Sequence, residues 1–163
     1  MKNKVLLDYG FEERFYAVLI QSQQFDYQLA WSLNLNLNVK FRMIQELTAF
    51  NPKKKTELPH TLYCWTSPTK INYFLVVSPE KTPSLLSEML LLIERKEHRE
   101  NVERMIEKIS AFDFIFFAEE ITSKQQQLAE QLNHIVFDLE EHFDKLNKHP
   151  KYQPPKEEDP ENI

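Results

Sequence analysis

His134, Asp138 and His142 stand four residues apart, with Glu130 one step earlier. On a helix this spacing puts all of them on one stripe, where two imidazoles and a carboxylate could share a metal ion. An apolar seam running from Leu128 to Leu146 occupies the other side of the same helix, so the stripe is expected to face water. There, pairing at i,i+4 is a sufficient role for these side chains. A mononuclear metal site would also need a ligand from a second element, and the sequence names none.

Lys53, Lys54 and Lys55 form the one basic run, with Lys70 near enough in sequence to join it. Consecutive lysines can neutralise a few phosphates. Tyr63, Trp65 and Tyr73, if exposed on neighbouring strands, could stack bases. The aromatic motif of sheet-based RNA readers is absent, and a formal charge of −5 opposes a polyanion. Glu119-Glu120 and Glu94 are carboxylates at strand ends, which perform acid–base work when their environments split their pKa values. Arg95 and Lys96 follow Glu94 directly, which suits an ordinary charged strand end. Ser22 and Ser123 have no recognisable nucleophile context.

The chain has a single glycine, Gly10, in 163 residues. Glycine alone adopts positive φ freely. A phosphate-cradling loop needs two or three glycines and a nucleophile elbow needs two, so none of these can be built. The single cysteine, Cys64, excludes an internal disulfide and every multi-cysteine metal site. It lies in the apolar run Leu62-Tyr63-Cys64-Trp65 and is expected to be a buried, inert thiol. No catalytic residue and no cofactor is assigned.

Those side chains must be positioned by a core, and 42% hydrophobic and 28% charged residues supply one. Residues 1–149 read as a single domain. Residues 150–163 read as a disordered, acidic, Pro-rich tail without apolar periodicity. The apolar run Ala17-Val18-Leu19-Ile20 is too short for a signal peptide or a membrane span, so a cytosolic protein is expected.

The expected fold is α+β, a mixed sheet of about five or six strands with helices mainly on one face, in the order β-α-β-β-β-β-α-β-α. Phe15 to Gln21 reads as a buried strand. Asp26 opens a helix with Phe25, Leu29, Leu33 and Leu37 on one stripe. Val39, Phe41 and Met43 alternate with Lys40 and Arg42 as a half-buried strand. Asn51 to Pro59 reads as a mobile loop. Thr61 to Thr66 and Asn72 to Val77 read as a hairpin around Ser67-Pro68-Thr69-Lys70.

Met89 to Ile93, the helix carrying Val102, Met105, Ile106 and Ile109, and Phe112 to Ala118 have the length of a βαβ unit. A ferredoxin-like core with an inserted hairpin accommodates this order. A long amphipathic helix opens at Thr122 or Ser123, where Thr122 and Gln125 fit a capping box. It carries Leu128, Leu132, Ile135, Leu139, Phe143 and Leu146, and stops at Pro150.

Val5-Leu6-Leu7-Asp8, Phe15 through Ser22, Asp26-Tyr27-Gln28-Leu29-Ala30 and Leu33-Asn34 resemble the opening of the IPExxxVDY family. That is a family of small cytosolic proteins of Bacteroidetes. Tyr73 to Val76 and Leu90 to Ile93 fall in similar order. Residues 81–89 stand where the family's naming motif falls and have a different sequence. The resemblance implies a bacterial cytosolic protein of this size and brings no reaction, ligand or site residue.

The function expected from these residues is a non-catalytic protein-binding or regulatory domain, with another protein or a second copy as partner. The long last helix is the candidate for pairing two copies. The alternatives are an RNA-associated protein using the lysine run, and an enzyme of another type.

Overall fold

A computed structural model describes residues 10–24, 26–52, 54–81 and 86–148, with only the backbone given for residues 26, 45, 80, 81 and 142–148. After a 3-10 turn at Phe11–Glu13, the elements are β1 (Phe15–Ser22), α1 (Asp26–Leu37), β2 (Arg42–Asn51), β3 (Thr56–Thr66) and β4 (Asn72–Lys81). They continue with β5 (Ser87–Glu94), α2 (Arg99–Ser110), β6 (Ile115–Ile121) and α3 (Gln126–Lys148). The six strands form one sheet in the order β2-β3-β4-β5-β1-β6. The protein is α+β, as its sequence leads one to expect.

The central strands are apolar on both pleats because both faces of the sheet are covered. Tyr16, Val18 and Ile20 of β1 and Met89, Leu91 and Ile93 of β5 point to one face. There they pack with Leu29, Ala30 and Leu33 of α1 and Val102 and Ile109 of α2. Phe15, Ala17 and Leu19 of β1 and Leu92 of β5 point to the other face, against Ala129, Leu132, Ile135, Val136 and Leu139 of α3. Continuous apolar runs, rather than alternating ones, follow directly from this arrangement.

Pairing differs from the expected mixed sheet in one respect: each of the five strand pairs is antiparallel. The expected βαβ unit is present as β5-α2-β6, but β1 lies between its two strands and is antiparallel to both. The reason is burial. Ala17, Val18 and Ile20 are fully buried, so β1 needs a strand on each side as well as helices on both faces. The strands β6-β1-β5-β4, with α1 and α2 on one face, make the split-βαβ arrangement of ferredoxin-like folds. The additional hairpin is β2-β3, extending the sheet beyond β4. The two shorter helices share one face and the long α3 covers the opposite one.

The segment from Asn51 to Pro59, expected as a loop, is mostly strand. Of its described residues only 52, 54 and 55 turn, with Lys55 at φ 54°, and Thr56 to Pro59 pair in register with Asn51 to Thr48. Pro59 is tolerated because the β3–β4 ladder begins at Thr61, so its missing N–H is not required on that side. The strand expected around Val39, Phe41 and Met43 begins only at Arg42, and buried Val39 and Phe41 lead into it.

Asparagines shape this junction. Asn38 ends α1 in the left-handed region at φ 56°. Asn34 accepts the Phe41 N–H at 2.7 Å and donates to the Phe41 carbonyl at 2.9 Å, mimicking a strand partner.

Phe112 and Phe114, expected within the sixth strand, precede it and stack on each other at 5.3 Å. The Thr122–Gln125 contact forms, with the Thr122 N–H donating to Gln125 Oε1 at 2.9 Å, but it closes a turn and α3 starts one residue later. The proposed tail, Pro150 and Val5-Leu6-Leu7-Asp8 lie outside the described residues.

Cys64 is buried on the α3 face, and burial pushes its thiol up to about 12, with Arg42 opposing and Glu94 reinforcing the shift. Nucleophilic thiolate is therefore scarce at neutral pH. A disulfide reagent at pH 8 is expected to leave Cys64 unmodified in the folded protein and to titrate one thiol after denaturation. Prompt reaction of the folded chain would contradict this placement.

Candidate interaction surface

The histidine–aspartate stripe turns toward the sheet, not toward water. His134 is only 7% exposed, with its ring 5.1 Å from that of Phe50 on edge strand β2. Asp138 Oδ2 accepts the Phe50 N–H at 3.3 Å. An edge strand leaves alternate backbone groups without a ladder partner, and a helix laid along it protects them. Asp138 and His134 therefore seat α3 on the sheet edge. The expected solvent-facing stripe is corrected by the width of the helix's buried arc: beyond Ile135, half-buried Gln131 and Asp138 continue it round to His134. The His142 side chain lies outside the described residues. Among the described residues, no three His, Cys, Asp or Glu side chains gather as metal ligands would.

Lys54 and Lys55 are exposed at the β2–β3 turn, whereas Lys53 lies outside the described residues. Lys70 sits in the β3–β4 turn, at the opposite end of the eleven-residue β3. At about 3.3 Å per residue that separation is roughly 35 Å, so Lys70 does not join the basic run. Tyr63 and Tyr73 are 5% and 4% exposed, packed beneath α1 and α2, and Trp65 is half-buried against Tyr73 and Phe41. The aromatic face required for base stacking is thus core, because it lies under two helices.

Of the remaining polar candidates, Glu94, Glu120 and Ser22 are engaged in the fold, whereas Glu119 is exposed. Glu120 pairs with Arg99 at 2.5 Å. Glu94 accepts the Asn72 N–H at 2.6 Å and lies 3.6 Å from Lys96. Ser22 is fully buried, donating to the Phe114 carbonyl at 3.1 Å. The Ser123 N–H donates to Glu12. A cleft of about 460 Å³ opens where β1, β4 and β5 meet α3, with Phe15, Phe74 and Leu139 among its lining and Arg14, Glu94, Lys96 and Glu140 around it. Most of its charges are paired: Arg14 with Glu140 and Lys96 beside Glu94, while the Arg95 guanidinium lies 4.2 Å over the Tyr16 ring.

The outer face of α1 is different. Tyr27, Trp31 and Leu35 are 67%, 65% and 67% exposed, and they repeat at i, i+4 and i+8. Leu29 and Leu33, two residues out of step, lie about 200° around the helix and are fully buried in the core. A helix apolar on both sides is the kind normally buried on both sides. Residues 27–37 carry no charge, in a chain of which 28% is charged. Two interleaved ladders of apolar residues were the available signal, and reading only the stripe of Leu29, Leu33 and Leu37 leaves the second ladder unnoticed. Met43 is another exposed apolar side chain. It sits opposite Tyr63, hence on the α1 side of the sheet. Among the described residues, no helix is long and apolar enough to cross a membrane. Compared with models of protein families, with curated proteins and with solved structures, the chain matches none.

Proposed function

We propose that this chain is a non-catalytic, cytosolic protein-binding domain, of the bacterial kind its family resemblance implies, and that it binds through the outer face of α1. The observation supporting this reading is the exposed, uncharged ladder Tyr27, Trp31 and Leu35. Interface cores are depleted of charge and enriched in Tyr and Trp, and such aromatic anchors supply most of the binding energy. A contiguous exposed apolar patch of this type marks a contact site more often than an idle surface.

A photo-crosslinking residue placed at Trp31, and separately at Lys54, tests the reading in the native cell. Protein adducts are expected from position 31 and not from position 54. Ribonuclease-sensitive adducts at position 54 alone would instead make the lysine turn the working surface. Equal yields at both positions would remove the reading altogether.

A further inference from the structure

We infer that the occupant of this face is a second copy of the chain, with α1 packed antiparallel on its counterpart across a two-fold axis through Trp31. This rests on α1 being a protein contact and specifies the partner. The ladder is symmetric about Trp31. In an antiparallel pair Trp31 meets Trp31 of the other copy, and Tyr27 meets Leu35 at each end. Both helix dipoles are then opposed favourably, and spacing by four is the ridge pattern of the commonest helix–helix crossing, at about −50°.

Charge selects the same occupant. In a two-fold contact each residue near the axis meets its own kind, so any formal charge there would face a like charge. Residues 27–37 have none. Asp26, the one acid of the helix, stands at its first position, away from the axis. The chain as a whole carries −5, so two copies repel over most of their surfaces, and an uncharged helix face is where they can meet. A partner recognised by opposite charge would need charged residues on α1, and the helix offers none beyond Asp26.

The ladder spans about 12 Å at 1.5 Å per residue. A patch of this size is small beside the roughly 800 Å² per partner of stable complexes, so a weak dimer in the micromolar range is expected.

Sedimentation velocity on the full chain at about 1–500 μM tests this. Wild type is expected to dimerise. Trp31→Glu and Trp31→Lys are each expected to weaken association at least about thirtyfold, and an equimolar mixture of the two variants is expected to regain dimer. Only a contact that brings residue 31 beside itself predicts that rescue. Circular dichroism confirms that both variants fold, which a position 65% exposed allows.

A wild type that stays monomeric, a dimer that persists in Trp31→Glu, or variants whose mixture regains nothing would each overturn the inference. A monomeric wild type that still gives adducts at position 31 sinks only the second copy. Absence of adducts sinks the protein-contact reading as well.

Discussion

Leu132→Ala is expected to lower the free energy of unfolding by about 2–5 kcal/mol, the range for truncating a fully buried leucine. Leu132 is 1% exposed in the middle of the α3 seam, and the α3-facing cluster that contains it includes Ala17, Leu19, Phe74, Val76 and Leu92. Truncation removes the transfer free energy of the lost atoms. It also leaves a void that the sheet, hydrogen-bonded through five strand pairs, cannot collapse to fill. For a chain of this size the loss corresponds to a fall in melting temperature of about 4–20 °C. Urea unfolding should show a lower midpoint at an unchanged slope. A loss below about 1 kcal/mol would mean that α3 does not cover this face as described.

Raising the pH above 10 is expected to destabilise the fold through Tyr73. Its phenol donates to Glu97 Oε2 from a buried position on β4. Burial pushes the Tyr73 phenol well up, and the Glu97 carboxylate, as hydrogen-bond acceptor and as a negative charge, pushes it further. The folded state therefore holds this proton more tightly than the unfolded chain, whose tyrosines titrate near 10. This contribution is complete below about pH 10 and is lost as the pH climbs beyond it.

Glu97 is the acid-side counterpart. Burial pushes its carboxyl up, but hydrogen bonds from Tyr73, Asn101 and the His98 N–H outweigh that and hold it below its ordinary value. Its contribution is complete above the usual carboxylate range and is lost as the pH falls below it. The pair ties β4 to the β5–α2 turn, where the Tyr16 hydroxyl also donates to the Glu97 carbonyl at 3.3 Å. Tyrosinate absorbance should show a tyrosine that titrates only as the protein unfolds, and Tyr73→Phe should abolish that late step. A late step that survives in Tyr73→Phe would assign it to another buried tyrosine.

Element types were legible because each rests on local chemistry. Phe15 to Ser22 and Ser87 to Glu94 are apolar on both pleats, and only strands covered on two faces tolerate that. Leu128, Leu132, Ile135 and Leu139 recur with the period of a helix, and all four are buried or half-buried in α3. Cys64 lay in an apolar run and is buried. The class of fold, six strands with three helices among the described residues, follows from these local periods.

Other features depend on contacts between residues far apart in the chain, which no local period records. That β1 lies between β5 and β6 was decided by its need for a partner on each edge. That Tyr63 and Tyr73 are core depended on where α1 and α2 lie. That His134 and Asp138 face Phe50 was decided by α3 seating itself on the edge of β2. The ladder of Tyr27, Trp31 and Leu35 stands between these cases. Its spacing was present in the sequence from the start. Only the packed structure decides which of the two ladders on α1 the core buries, because a helix apolar on both sides can place only one of them against its own sheet.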